Sequence, residues 1–324
     1  MAAPGGRRAQ LIGLLLVGAA GLVWGSIPVA LHAADGASVI KVFYRVFFAG
    51  VVLSLWMSAS GGWREVRDLP RTKLRQLVAQ GVILTVNWVL FLTALDLTNV
   101  ATAELLGYMG PVFVAALAPF VTKERFDARI LAPMALALGG IGVILAPQGL
   151  GVSGGPQMLG AILAFCSALT YSVLLLRSKR ILVGVTGRAL MIVEYGTASV
   201  LLLPFVAWMY AQGQGPTSLG SYGALATLGV VHTAFAGMLF LAGLRRVRTD
   251  HAAILTYTEP ASAVVFAAIF LGQALTPWTV VGGLMVVAGG AIVALLESRT
   301  VRITPESAGG SGEALDGPGT AGPG

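Results

Sequence analysis

The chain has 324 residues, 56% of them hydrophobic and 11% charged, with a mean hydropathy of +0.84. An ordinary soluble domain carries about 25% charged residues, so this chain cannot cover a water-facing surface. Its net charge of +7 is gathered in short connections between apolar runs and does not mark a nucleic-acid partner; the single cysteine, Cys166, excludes a disulfide framework and a cysteine metal site.

In chain order, apolar spans are predicted near 10–32, 38–58, 77–95, 100–121, 128–147, 157–176, 189–210, 222–244, 250–272 and 277–297. Crossing a bilayer takes roughly 20 such residues. The first span follows Arg7 and Arg8 and has the outline of a signal peptide. Its run is long for one, and it aligns with the sixth span, so it is read as retained. The segment 300–324 is rich in Gly, Ser, Pro and Ala and reads as a disordered tail. Of the 21 lysines and arginines, every one except Lys41 and Arg45 lies at the N-terminus, in an even-numbered loop or in the tail. By the positive-inside rule, both termini, 1–9 and 300–324, are expected to be cytoplasmic in a multi-pass protein of the cytoplasmic (inner) membrane.

The second half repeats the first in register at a spacing of 149 residues: Leu90-to-Pro111 lies on Leu239-to-Pro260 without a gap. Tyr108 and Pro111 fall on Tyr257 and Pro260, and one more residue of slip brings Gly139-Gly140 onto Gly289-Gly290. Each copy, 10–147 and 157–297, holds five spans. An odd number makes the second copy enter the membrane from the opposite side. The predicted fold is therefore an all-α polytopic membrane protein, ten transmembrane helices as two inverted five-helix repeats, an arrangement typical of secondary transporters. Gly21 and Gly25 have the GxxxG spacing that lets helices approach closely. A homodimer through glycine-rich spans is compatible with the sequence, and no feature demands it.

Charged side chains at membrane depth cost about 2.5–3.5 kcal/mol each on insertion scales and so point to function. Five sit in or at spans: Lys41, Arg45, Glu104, Glu194 and Glu259. Arg45 and Glu194 occupy equivalent repeat positions and are expected to face one central cavity and pair across it; orienting their own helices is the alternative. Lys41, one turn from Arg45, either adds a second cation beside an anionic group or snorkels to the interface. Glu259 directly precedes Pro260, while Glu104 lies near the outer end of its span, where it is open to solvation. Pro111 and Pro260 remove backbone donors and are expected as kinks or hinges. Tyr108 and Tyr257, three residues before them, offer a ring and a hydroxyl to a small amphipathic solute or simply pack. Asn87 must find a partner and is expected to face the interior. Trp24 aligns approximately with Tyr171, and both read more simply as packing residues, as does His232.

The stretch from Asn87 to Phe126, with Ala94-Leu95 before Thr98, then Leu105, Pro111-Val112 and Lys123-Glu124-Arg125, is similar to the repeat signature of the EamA family, the ten-span type of the drug/metabolite transporter superfamily. Arg45 in the second span and Gly139-Gly140 in the fifth agree with it, and the resemblance covers about 10–297. It implies movement of a small metabolite across the cytoplasmic membrane, most commonly export of amino acids or related compounds. Uptake, or a multidrug or metabolite permease of the same fold, stays open. One departure is clear. The family usually ends its fourth and ninth spans with a Gly–Glu pair, and here the positions hold Lys123-Glu124 and Gly272-Gln273. Glu124 is read as a structural cap or local salt-bridge partner; the role of Gln273 stays open.

No P-loop is present, so any pumping must use an ion gradient or the substrate's own gradient. If protons are the partner, Glu194 is the first candidate carrier and Glu259 the second. No cofactor or metal is expected. An intramembrane enzyme is the rival from another class, but Asp35, Asp68, Asp96, Asp127 and Asp250 sit in loops or at span ends and the three histidines lack HExxH spacing. A non-transporting receptor or lipid scramblase is the remaining alternative.

Overall fold

The computed structural model describes residues 7–149, 154–272 and 275–300. Residues 1–6, the segment 301–324 and Gln273 lie outside the described residues. A bilayer gives an apolar run no water to bond to, so the backbone closes its own hydrogen bonds as helices. The first five predicted spans appear as α1 (Arg7–Trp24) with α2 (Ile27–His32), α3 (Ser38–Ser60), α5 (Arg71–Leu97), α6 (Val100–Gly107) with α7 (Gly110–Val121), and α8 (Leu131–Leu145). A short α4 (Arg64–Arg67) lies in the second connection. The second five appear as α9 (Gly155–Ile181), α10 (Gly187–Ala211), α11 (Leu219–Thr227) joined by a π-helical turn (Leu228–Phe235) to α12 (Ala236–Leu244), α13 (Thr249–Leu255) with α14 (Thr258–Leu271), and α15 (Pro277–Thr300).

The helix starts follow local chemistry. Asn99 accepts from the Thr102 N–H (2.7 Å) at the head of α6, Thr186 from Ala189 (3.2 Å) at α10 and Ser218 from Ser221 (3.1 Å) at α11. Gly61 and Gly272, at φ 65° and 66°, end α3 and α14 in the left-handed conformation that glycine adopts without strain. Among the described residues, nine spans are long and apolar enough to cross a membrane. The expected tenth is α15, Pro277–Thr300, of which Pro277–Val293 is apolar among the described residues.

The main helix pairings recur when the two halves exchange places. The α5–α9 pair has its counterpart in α12–α1, α7–α9 in α14–α1, and α5–α10 in the π-helical turn on α3; α3–α10 and α8–α15 are their own counterparts. Both self-paired contacts are antiparallel. Tyr44 of α3 meets Tyr210 of α10 (2.7 Å between hydroxyls) while Trp56, further along α3, lies under Arg188 at the start of α10. In α8–α15, a Cβ on Gly140 would sit 2.5 Å from the Gly282 carbonyl, and one on Gly289 would sit 2.7 Å from that of Pro133. In lipid, helices gain little from apolar burial against one another, so such backbone approach supplies the attraction. Gly21 and Gly25 act the same way: added Cβ atoms would strike Thr258 and Ser262 of α14 at about 2 Å.

The two ends of the bundle are tied differently. At the basic end, Glu65 pairs with Arg188, Lys179 Nζ donates to the carbonyls of Leu244 (2.5 Å) and Val247, and Arg248 Nη2 donates to the Arg125 carbonyl (2.9 Å). At the opposite end, Asp35, between α2 and α3, accepts from the Thr217 N–H (3.1 Å) and hydroxyl. Hydrogen bonds from Ser221 and Thr217 hold the Asp35 carboxyl down at about 2, below its ordinary 3.8. A depressed carboxyl adds stability above the unfolded value and loses it as pH falls through the folded one. This tie is therefore expected to be complete at neutral pH and to loosen only between about pH 4 and about pH 2. Comparing the acid limb of thermal unfolding for the native chain and Asp35→Asn checks it: the variant should lose the part of the decline that belongs to this window.

Candidate functional site

Two spans are broken at repeat-equivalent places. The fourth stops at Gly107 and restarts at Gly110; the ninth stops at Leu255 and restarts at Thr258. Pro111 and Pro260 were expected as kinks or hinges. They stand in the first turn of α7 and α14, where a missing N–H costs little. The carbonyls that a continuous helix would satisfy are re-paired locally. Thr256 accepts from the Glu259 N–H (2.9 Å), and Val112 turns to Met109 (3.0 Å), which frees the Tyr108 carbonyl. Into that gap comes Tyr257, 1% exposed, whose hydroxyl donates to the Tyr108 carbonyl (2.7 Å) while the two rings meet edge-on at 6.2 Å. The partners are 149 residues apart, so equivalent residues of the two copies touch.

Around this junction the structure gathers Arg45, Glu104 and Glu259. Arg45 Nε donates to Thr233 Oγ1 (2.8 Å), and its guanidinium lies 4.4 Å from the centre of the Trp88 ring. Glu259, in the first turn of α14, lies within electrostatic reach of Arg45 and of Glu104, and both carboxylates act on Tyr108. The N-terminus of a helix is where a carboxylate is favoured, and Glu259 stands there; its repeat equivalent at the head of α7 is Gly110. The Tyr171 ring fills the space a Cβ on Gly110 would need (2.6 Å) and lies near Thr256. All three charged groups are half-buried. The result is one cation, two carboxylates and four aromatic rings at the meeting point of both repeats.

Other expected site residues sit elsewhere. The Arg45–Glu194 ion pair is not formed. Glu194, 7% exposed, faces α5, where it reaches Gln80 and where Gly81 lets the backbones close on each other. Its neighbour Tyr195 takes the central position, acting on Arg45 and donating to the Thr233 carbonyl (3.2 Å). Asn87 is buried in the α5–α9 seam, donating to the Ser167 carbonyl (2.7 Å) and to Thr170 Oγ1 (3.0 Å). Trp24 donates to the His232 carbonyl (2.7 Å) and packs on Phe240 (5.3 Å). Lys41 is half-buried and makes no ion pair among the described residues. Glu124 accepts from Thr249, N–H (3.1 Å) and hydroxyl (2.8 Å), so it caps α13 across the repeats rather than pairing with a neighbouring cation. A shallow apolar groove lined by Phe47, Ser54, Leu55 and Ile192 lies on the face of α3 turned away from Arg45. Thr233, Tyr195 and Tyr171 were not singled out as site residues. The only sequence signal for Tyr195 is its place beside a membrane glutamate.

The EamA-like transporter family matches residues 11–146 and 158–295, once for each half. The chain belongs to that family. It is a multi-pass membrane protein of a transporter family, and its relatives carry transporter names. An uncharacterized transporter of Archaeoglobus fulgidus is 27% identical over 268 residues, 83% of this chain and 91% of the relative. The uncharacterized transporter YxxF of Bacillus subtilis is 25% identical, covering 88% and 90%. Protein RarD of Streptomyces exfoliatus is 26% identical, covering 83% of each. A solved crystal structure superposes with a TM-score of 0.75 at 20% identity, over 91% of this chain and 99% of the other, a likeness of fold alone.

Proposed function

We propose that this EamA-family protein is a secondary transporter that moves a small metabolite across the cytoplasmic membrane by alternating access. Ten spans form two inverted five-helix halves, with both termini and the basic end cytoplasmic. The solute binds at the two helix breaks, among Arg45, Glu104, Glu259, Trp88, Tyr108, Tyr171 and Tyr257. The observation that carries this reading is the Tyr257–Tyr108 contact, which places two broken helices from opposite halves around one cluster of charges. Broken helices at the interface of repeats are where transporters of this architecture hold their load. The antiparallel course of the equivalent helices α3 and α10, and of α8 and α15, supports the inversion.

A solute with both a carboxylate and an ammonium group suits a site with one guanidinium and two carboxylates, and aromatic rings suit its apolar part. An amino acid or related compound fits, and export is the direction proposed. The test is a counterflow screen in proteoliposomes with amino acids, sugars and cationic drugs. Amino-acid exchange above protein-free vesicles is the expected result; the absence of solute-dependent flux for every class sinks the reading.

A further inference from the structure

The eighth span carries the π-helical turn Leu228–Phe235, and His232 stands in it, 3% exposed. Such turns insert an extra residue and recur at functional sites. The ring touches two polar partners. Nδ1 lies 3.2 Å from the Thr227 carbonyl oxygen and Nε2 lies 2.8 Å from Ser26 Oγ; Ser26 Oγ is in turn 2.8 Å from the Val23 carbonyl oxygen. A carbonyl only accepts. The Thr227 contact therefore needs a proton on Nδ1, and the Val23 contact takes the single serine proton. The contact between Ser26 and Nε2 then needs a proton on Nε2 as well. A neutral imidazole has one N–H and leaves one of the three contacts unmade; an imidazolium makes all three.

We infer that His232 is a proton-binding site, whose proton ties the break between α1 and α2, at Gly25-Ser26, to the π-helical turn of the eighth span. Of α3's ionisable groups Lys41, Tyr44 and Arg45, it is Arg45 that acts on the ring, with the same sign of charge as a protonated His232. The Tyr195 hydroxyl of α10 goes to the adjacent Thr233 carbonyl. α1 brings the Trp24 indole, with Arg7 and Arg8 at its far end; α2 brings His32, α11 brings Tyr222 and α12 has no ionisable side chain. Arg45 of α3 thus reaches the same π-helical turn through Thr233, and a protonated His232 would be a second cation there. An anionic group that reaches Arg45 offsets its charge and favours the proton on His232. That linkage to the transported solute rests on the proposed transport function; the proton site itself does not.

The experiment labels the histidine rings with 15N in the full chain, held in lipid nanodiscs, and assigns His232 by its loss in His232→Gln. Between about pH 8 and about pH 5, His232 is expected to pass from one neutral tautomer to an imidazolium protonated on both nitrogens. Ser26→Ala should weaken its proton affinity about ten-fold, as one charge-assisted bond is lost. Arg45→Gln should strengthen it. A wild-type His232 that stays in a single neutral tautomer over the whole range overturns the proposal, and that outcome depends on no variant folding. A folded Ser26→Ala chain that titrates like wild type overturns it too, and an unmoved titration in Arg45→Gln removes the linkage. Each result stands whether or not the counterflow screen finds a solute.

Discussion

Glu259→Gln is expected to lower counterflow about 100-fold or more, while Glu194→Gln lowers it less than about ten-fold. Both changes remove one carboxylate from a span and nearly conserve shape, so size does not separate them. Position does. Glu259 heads a half-helix, within reach of Arg45 and Glu104, at a junction where residues of both halves meet. Removing its charge leaves the Arg45 guanidinium without its anionic neighbour in a medium that solvates charge poorly. It also takes away one of the two groups that can hold an ammonium. Glu194 lies in the α5–α10 seam beside Gln80, where glutamine still offers a hydrogen bond. The measurement is exchange of the solute found in the screen, at matched protein density and with unfolding temperature as a control. Equal losses in the two variants would return the central role to Glu194.

A cysteine placed at Glu104 is expected to react with a membrane-impermeant maleimide added from outside, on the order of 100-fold faster than one placed at Ala253, its repeat equivalent. These positions lie on equivalent half-helices in unlike surroundings. Every residue of α13 is buried, and Ala253 is 0% exposed. In α6, Glu104, Leu105, Leu106 and Gly107 are all half-open. The basic end beside α13 is laced by Glu124, Arg248 and Lys179. If the halves are inverted, α13 seals the cytoplasmic side while α6 borders an outer approach, and the opposite state exchanges these roles. The single native cysteine, half-buried Cys166, is first replaced by alanine. Faster labelling at Ala253→Cys would reverse the sidedness, and equal rates would contradict the asymmetry.

Much of this architecture is legible in the residues. Apolar run length places the helices, and the described starts at Ser38, Gly187 and Pro277 fall within two residues of the expected ones. The 149-residue spacing places Tyr108 against Tyr257 in the alignment, and the structure brings the two into contact. What stayed hidden has a common cause. Arg45 and Glu194 align, yet equivalent residues of two copies meet only where the copies touch. Arg45 turns to Thr233 and Trp88 while Glu194 turns to Gln80. Asn87 reads as an interior polar residue from sequence and is one, but the interior it faces is the α5–α9 seam.

Sequence by itself determined the membrane environment, the helices, the repeat and the two prolines beside which spans are interrupted. Each of these depends on local composition, on backbone donors that proline lacks, or on charge summed along short loops. Tertiary structure decided which polar side chains meet. A helix fixes the angle between its own residues, but its rotation and shift against its neighbours depend on packing at distant glycines such as Gly81, Gly140 and Gly282. The π-helical turn adds a residue to one span and so resets the direction of all that follow it, which is how His232 comes to face Ser26 and Thr233 comes to hold Arg45.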